Sequence, residues 1–240
     1  MNCLILAAGF GSRLQGISES KPLTPIAGVA LIEHVIGRAF AGGATRFLVV
    51  TGHEAAQVER FLADLQFRLA VPIGWERVAD WSKPNGHSVL AGAAALKGNY
   101  LLSMCDHVYD PAIVTRLLGA KRRGVTLAVD RDLTGPLLDI DDATKVEIAP
   151  DGRIVSIGKQ LAAYNAIDAG VFLATPALVA AIQAAIDDGA EGTLSDGMQR
   201  LAEAGRAWTV DVGDARWIDV DSPAMLELAE ARIASSELHG

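Results

Sequence analysis

Short apolar runs separated by stretches of helical periodicity fill the first 131 residues, and this alternation constrains the fold more than any other feature of the chain. Strands are expected near residues 2–7, 46–51, 71–78, 100–105 and 125–130, with helices near 31–42, 54–66, 86–96 and 110–122 between them. A strand reached through a helix joins its sheet by a right-handed crossover, so its neighbours run parallel and helices cover both faces. The expected class is therefore α/β, doubly wound about a mostly parallel central sheet. Leu101, Leu102 and Met104 suit a central strand buried on both faces. Of the 240 residues 50% are hydrophobic, which is enough to bury a sizeable core.

The pattern changes after about residue 131. Asp139 to Asp142 is acidic and turn-like, and strands near 144–149 and 153–158 flank Pro150-Asp151-Gly152, a hairpin signal. A strand near 166–173, helices near 176–187 and 194–204, strands near 207–212 and 216–219, and a helix over about 223–236 complete the chain. The expectation is one domain over 1–240, made of halves 1–131 and 132–240, the second adding a β-hairpin and returning to the sheet.

Charge and cysteine content exclude several classes. The net charge of −8 disfavours sequence-independent nucleic-acid binding, which needs basic surface to displace counterions. An anionic ligand would instead need a few local cations against the overall field. Cys3 and Cys105 both lie in apolar runs and form no Cys-x-x-Cys pair, so neither a disulfide framework nor a zinc site is expected, and a reducing cytoplasm is the default. The apolar N-terminus lacks a basic leader and is interrupted by Gly9 and Gly11, so a signal peptide is not expected. No apolar run approaches the roughly 20 residues of a membrane span.

The first strand runs into Leu6-Ala7-Ala8-Gly9-Phe10-Gly11-Ser12-Arg13-Leu14. Gly9 and Gly11 permit backbone angles that turn amide N–H groups toward an anion. A dinucleotide fingerprint would require a third glycine, where this chain has Leu14, and an immediate helix; a Walker loop would require Lys then Ser/Thr, which is missing. Arg13 follows the loop directly, and Lys21-Pro22-Leu23 lies a few residues beyond. Two fixed cations beside a nest of amides suit a triphosphate. The glycines alone fit equally well a surface turn with two solvated cations.

Taken together, the loop, Arg13 and Lys21-Pro22-Leu23 resemble the signature of the sugar-phosphate nucleotidyltransferases. The resemblance implies a Rossmann-like, nucleotide-diphospho-sugar transferase-like fold, with a nucleotide-binding half (1–131) and an acceptor-binding half (132–240). It also implies that Leu6, Ala7, Ala8, Gly9, Gly11 and Ser12 wrap the triphosphate, while Arg13 and Lys21 stabilise the departing pyrophosphate. Asp106 closes the fourth strand, at the rim where α/β folds bind ligands, and a hard carboxylate suits Mg²⁺. The alternative for Asp106 is a cap on the next helix, but Asp110-Pro111 offers that helix a better start. The resemblance makes Asp219, two residues after Trp217, the partner of Asp106 on the metal, with Asp221 as the runner-up. It usually has glycine where this chain has Cys105. His53 and His107 are expected in structural or supporting roles, since phosphoryl transfer depends on positioning and charge.

Thr51 ends the second strand at the same rim, and the resemblance sets Asn85, Gly86 and Ser88 against the base. An ordinary helix start is the alternative for that stretch, because Asn and Ser favour caps. Lys145 and Lys159 sit on the second-half hairpin, where they could clamp an acceptor phosphate or be two exposed lysines. Asp168 could accept hydrogen bonds from acceptor hydroxyls, with Gly170 allowing close approach. Asp106 to Tyr109, Asp142 to Val146, Gly158-Lys159, Tyr164 to Phe172 and Trp217 to Pro223 are most similar to inositol-1-phosphate cytidylyltransferases, in their stand-alone form. The resemblance implies transfer of CMP from CTP to inositol 1-phosphate, or of another nucleotide to a sugar 1-phosphate, phosphocholine or polyol phosphate. A monomer or homodimer with no nucleic acid and no membrane insertion is expected. A non-catalytic nucleotide-binding regulator would lack one of the metal aspartates or Arg13 or Lys21. A nicotinamide oxidoreductase would want an acidic residue where Thr51-Gly52 stands.

Overall fold

Alternation along the first strand divides the interior in two. In the computed structural model, which describes residues 1–120, 124–134 and 140–235, Asn2–Ala7 forms strand β1. Its Cys3, Ile5 and Ala7 enter one core, and Leu4 and Leu6, with Ala8 just beyond, enter the other. Successive strand side chains point to opposite faces, so an unbroken apolar run is what a strand with covered faces requires.

After β1 come a small ribbon of β2 (Pro25–Ile26) and β3 (Val29–Ala30), helix α1 (Leu31–Ala41), β4 (Arg46–Thr51), α2 (Ala55–Leu69), β5 (Ile73–Arg77), α3 (Asn85–Ala93) and β6 (Tyr100–Met104). Then follow β7 (His107–Tyr109), α4 (Pro111–Gly119), β8 (Val125–Asp130), β9 (Lys145–Ile148), β10 (Ile154–Gly158) and β11 (Ala166–Ala174). The chain continues through α5 (Pro176–Asp187), α6 (Leu194–Glu203), β12 (Ala207–Asp211), β13 (Trp217–Asp219) and α7 (Pro223–Ala234). Helices α1, α2 and α4 supply Ile32, Leu62 and Val114 to the core containing Cys3 and Ile5; α3, α5 and α6 supply Val89, Ile182 and Met198 to the other. No helix among the described residues is long and apolar enough to cross a membrane.

Local chemistry explains where the later helices start. Thr193 accepts a bond from the Asp196 N–H while the Asp196 carboxylate accepts one from the Thr193 N–H, a reciprocal cap for α6. Thr175 and Ser222 cap α5 and α7, each with proline at the first helical position. Asp110 occupies the corresponding place before Pro111 but makes no side-chain capping bond. The helix expected over 110–122 ends at Gly119; residues 121–123 lie outside the described residues, as does Asp139 of the acidic turn.

The sheet is parallel where the alternation required it. Strand β1 pairs β4 and β6 in parallel, β4 pairs β5, and β12 pairs β8. The departure is β11, which lies antiparallel between β6 and β8. Phe172 faces Leu102 on one edge and Leu127 on the other, while Ile167 faces Lys145 and Asp130. Strands β9 and β6 therefore share one edge of β11, and residues 168–170 fall in the break between them. The register against β8 shifts there, between Asp168 and Phe172, and Gly170 takes φ 75°. This bulge opens the sheet beside the end of β6.

The ribbon of β7 and β13, absent from the sequence-based expectation as a pair, sits outside the main sheet. Val108, Ile218 and Val220 pack with Ile26, Leu31, Leu226 and Ala229 in a third apolar cluster under α7. Leu62 on α2 is fully buried in the core that contains Cys3 and Ile5. Leu62→Ala should lower the unfolding free energy by about 2–5 kcal/mol, read by urea denaturation, because the cavity left behind cannot fully collapse.

Candidate active site

The glycine loop is built to receive a lysine. Gly11 has φ 63°, and a Cβ there would lie 2.5 Å from the Cβ of Lys21. A single 3₁₀ turn over Ser12–Leu14 anchors the loop through buried Leu14, and a second over Lys21–Leu23 packs against Gly11. The Lys21 Nζ reaches Asp106 Oδ2 at 2.6 Å, and its side chain is only 13% exposed, so it is not a solvated surface cation. Burial alone would lower the Lys21 ammonium, but Asp106 and Asp219 outweigh it and raise it.

Asp106 and Asp219 meet through the β7–β13 ribbon. Cys105 N–H donates to the Leu6 carbonyl, tying the end of β6 to the end of β1. The ribbon register sets Asp219 opposite His107, and the Val220 N–H donates to the Asp106 carbonyl at 2.8 Å. His107 Nδ1 donates to Asp106 Oδ1 at 2.8 Å and stands 3.8 Å from Asp219 Oδ1. One ligand atom each from Asp106, His107 and Asp219 lies within 4.8 Å of the others. Burial would raise the Asp106 carboxyl, but Lys21 and His107 hold it well below the usual range. Burial pushes Asp219 up to about 7. Burial alone would lower His107, yet Asp219, Asp106 and Asp168 carry it to about 9. Asp219 Oδ1 is buried and has no hydrogen-bond partner among the described residues. An orphaned carboxylate oxygen beside an ionised one is a fitting donor set for a hard divalent cation.

Around this centre runs a rim of ion pairs. Arg13 meets Asp142 Oδ2 and Asp221 Oδ2, each at 2.6 Å, and Lys159 Nζ meets Asp142 Oδ1 at 2.6 Å. Burial would raise Asp142, but Lys159 and Arg13 hold it down to about 2. Asp168 sits in the β11 bulge; burial pushes it up to about 6, although the Gly170 N–H donates to its Oδ1 at 2.7 Å. A cavity of about 220 Å³ joins Arg13, Lys21, Asp106, Lys159, Asp168 and Asp219, with Asn85 at its edge.

Apart from Asn85, which lines the cavity, the other expected residues lie outside its lining. The Thr51 hydroxyl is buried and donates to Glu59. Asn85 Oδ1 accepts from the Leu194 N–H, and a Cβ on Gly86 would overlap the Gly192 carbonyl, so this stretch joins α3 to the start of α6. Ser88 is buried on α3. Leu6, Ala7 and Ala8 are buried at the strand end, whereas Gly9 and Ser12 are exposed. Lys145 faces Gly158 rather than Lys159 in the hairpin register; its Nζ donates to the Lys159 carbonyl at 2.9 Å and lies 5.7 Å from the centroid of the Tyr164 ring. His53 packs edge-on against Phe10 and Trp81. Asp142 was legible in an acidic turn and in the Asp142 to Val146 segment of the resemblance, but its bridge between Arg13 and Lys159 depends on loops distant in sequence.

The model of the MobA-like NTP transferase domain matches residues 3–201. The chain belongs to this family. Among curated relatives, it is 35% identical over 234 residues to a bifunctional IPC transferase and DIPP synthase of Rubrobacter xylanophilus, covering 95% of this chain and 51% of the relative. The protein of the same description from Archaeoglobus fulgidus is 28% identical over 240 residues, covering 100% of this chain and 45% of that one. The chain thus spans about half the length of the curated relatives it matches. Among solved structures, the inositol-1-phosphate CTP transferase from T. maritima superposes with a TM-score of 0.85 at 22% identity, covering 96% of each chain. A UDP-glucose pyrophosphorylase complexed with UDP-glucose does so with a TM-score of 0.81 at 18% identity, covering 98% of each. These superpositions establish the nucleotide-diphospho-sugar transferase type of fold.

The two loop glycines should respond differently to alanine. Gly11→Ala should cost roughly 1–2 kcal/mol of stability in a urea titration, since the new Cβ meets both a left-handed backbone and Lys21. At Gly9 a Cβ would meet nothing within 4 Å, and Gly9→Ala should change stability by less than about 0.5 kcal/mol.

Proposed function

We propose that this chain transfers CMP from CTP to a small phosphorylated alcohol, inositol 1-phosphate being the leading candidate, with release of pyrophosphate. The observation that carries this is the convergence of Lys21, Asp106 and Asp219 beside the glycine loop, with Asp219 Oδ1 buried and unpartnered among the described residues. Family membership supports nucleotidyl transfer, and the IPC transferase relatives support the inositol acceptor. Asp106 and Asp219 would hold Mg²⁺, which when bound supplies Lewis-acid stabilisation of charge on the α-phosphate. Asp219 is favoured over Asp221 because it is Asp219 whose ligand atom lies within 4.8 Å of those of Asp106 and His107.

The remaining work falls to the chain's own groups. The turn at Gly9, Gly11 and Ser12 holds the triphosphate, with Leu6, Ala7 and Ala8 as its base. Asn85, Gly86 and Ser88 set the shape against which the base rests, with Thr51 at the end of β4 contributing to the same nucleotide-binding half. Lys159, supported by Lys145, draws the acceptor phosphate toward the cavity, and Asp168 accepts bonds from acceptor hydroxyls. An acceptor phosphate oxygen attacks the α-phosphorus, and the bond from that phosphorus to the β-phosphate bridging oxygen breaks. Arg13 and Lys21 offset the charge that gathers on the leaving pyrophosphate. Because the attacking oxygen is already ionised, alignment and charge stabilisation account for the rate without a general base. Residues 1–131 thus serve the nucleotide and 132–240 the acceptor.

Pyrophosphate release, measured for four nucleoside triphosphates crossed with inositol 1-phosphate, sugar 1-phosphates and phosphocholine, tests the assignment. CTP with inositol 1-phosphate should give the highest kcat/KM, EDTA should abolish release and added Mg²⁺ restore it. Asp106→Ala should lower turnover by about 100-fold or more, since the metal contributes several kcal/mol. Retention of more than about a tenth of the rate would refute the role given to Asp106.

A further inference from the structure

We infer that His107 is a positioning residue, which fixes the Asp106 carboxylate for a divalent cation without ligating the cation itself. This rests on the assignment of Asp106 and Asp219 as metal ligands.

Three contacts hold the imidazole in one place. Its plane lies 4° from that of Trp217, with ring centroids 5.6 Å apart. Trp217 is fixed in turn, its Nε1–H donating to Asp130 Oδ2 at 2.8 Å. At the β11 bulge Gly170 approaches so closely that a Cβ would lie 2.5 Å from His107 Cγ and closer still to Cδ2. The left-handed φ of 75° at Gly170, open to glycine without strain, therefore has a specific use: it lets the sheet touch the ring. On the backbone, the ribbon pairs His107 with Asp219.

A ring so confined presents Nδ1 to Asp106 Oδ1 at 2.8 Å, while Lys21 takes Oδ2 at 2.6 Å. An ionised carboxylate only accepts, so Nδ1 must be the donor and has no lone pair left for a metal; the remaining nitrogen, Nε2, lies under Gly170, where a Cβ would be 2.8 Å from it. Each carboxylate oxygen has a second lone pair, and both remain available to a hard cation. Held at both oxygens, Asp106 cannot rotate away from Asp219. Partners of this kind typically govern metal affinity by about 10–100-fold.

The test uses the full chain and Mn²⁺ as the probe, followed by electron paramagnetic resonance. Wild type should bind Mn²⁺ and Asp106→Asn should not. His107→Ala should weaken binding by about 10–100-fold with a melting temperature close to wild type, and His107→Asn, whose amide can donate from nearly the same point, should return to within about fivefold. Pulsed measurements on wild type should reveal no directly bonded imidazole nitrogen. A bonded nitrogen, His107→Ala affinity within about twofold of wild type, or His107→Asn as weak as His107→Ala would overturn the positioning role while leaving the metal carboxylates in place. Absence of Mn²⁺ binding to wild type, or full binding by Asp106→Asn, would instead overturn the metal assignment and this inference with it. The pulsed measurement needs no variant to fold.

Discussion

The site depends on a three-residue ribbon joining segments half a chain apart. Strands β7 and β13 have only a short ladder, yet it fixes the register that sets Asp219 across from His107 and beside Asp106. So short a pairing would not persist alone in water. It persists because Val108, Ile218 and Val220 are buried against Ile26, Leu31 and α7. Apolar packing behind the ribbon thereby keeps carboxylates together on its other side, against their mutual repulsion.

That repulsion is answered locally. A chain with a net charge of −8 has no general attraction for phosphate. Lys21 is buried against Asp106, and Arg13 and Lys159 converge on Asp142 at the rim. Lys21, only 13% exposed, acts through a lower effective dielectric and is weakly screened, while Arg13 and Lys159 at the exposed rim add shorter-range attraction, so three cations can define an anion site that the overall field opposes. The bulge in β11 contributes equally, because it opens the sheet beside β6 and brings Gly170 against His107.

Most elements of the fold were legible in the chain. Strands at 2–7, 46–51 and 125–130 and the helix starts at Leu31, Pro176, Leu194 and Pro223 match periodicity and capping residues, which act over a few positions. The Pro150-Asp151-Gly152 hairpin likewise follows from turn chemistry. Strand β7 was not legible, since three residues carry no period. Nor was the antiparallel insertion of β11 between β6 and β8, because a strand's direction depends on which edges remain free after the others have paired.

The same division holds for the site. The glycine loop, Arg13, Lys21, Asp106 and the Trp217-Ile218-Asp219 segment stand out in the amino-acid order, because they rest on local backbone freedom and on strand ends. Family membership agrees with what that order implied. Only the folded chain shows that Thr51 is committed to Glu59, that Asn85 bonds to Leu194, and that Asp142 bridges Arg13 and Lys159. Hydrogen bonds and ion pairs act over a few ångströms in space, whatever the separation in sequence. The amino-acid order determined which groups were available; the packing of two cores and one ribbon decided which of them met.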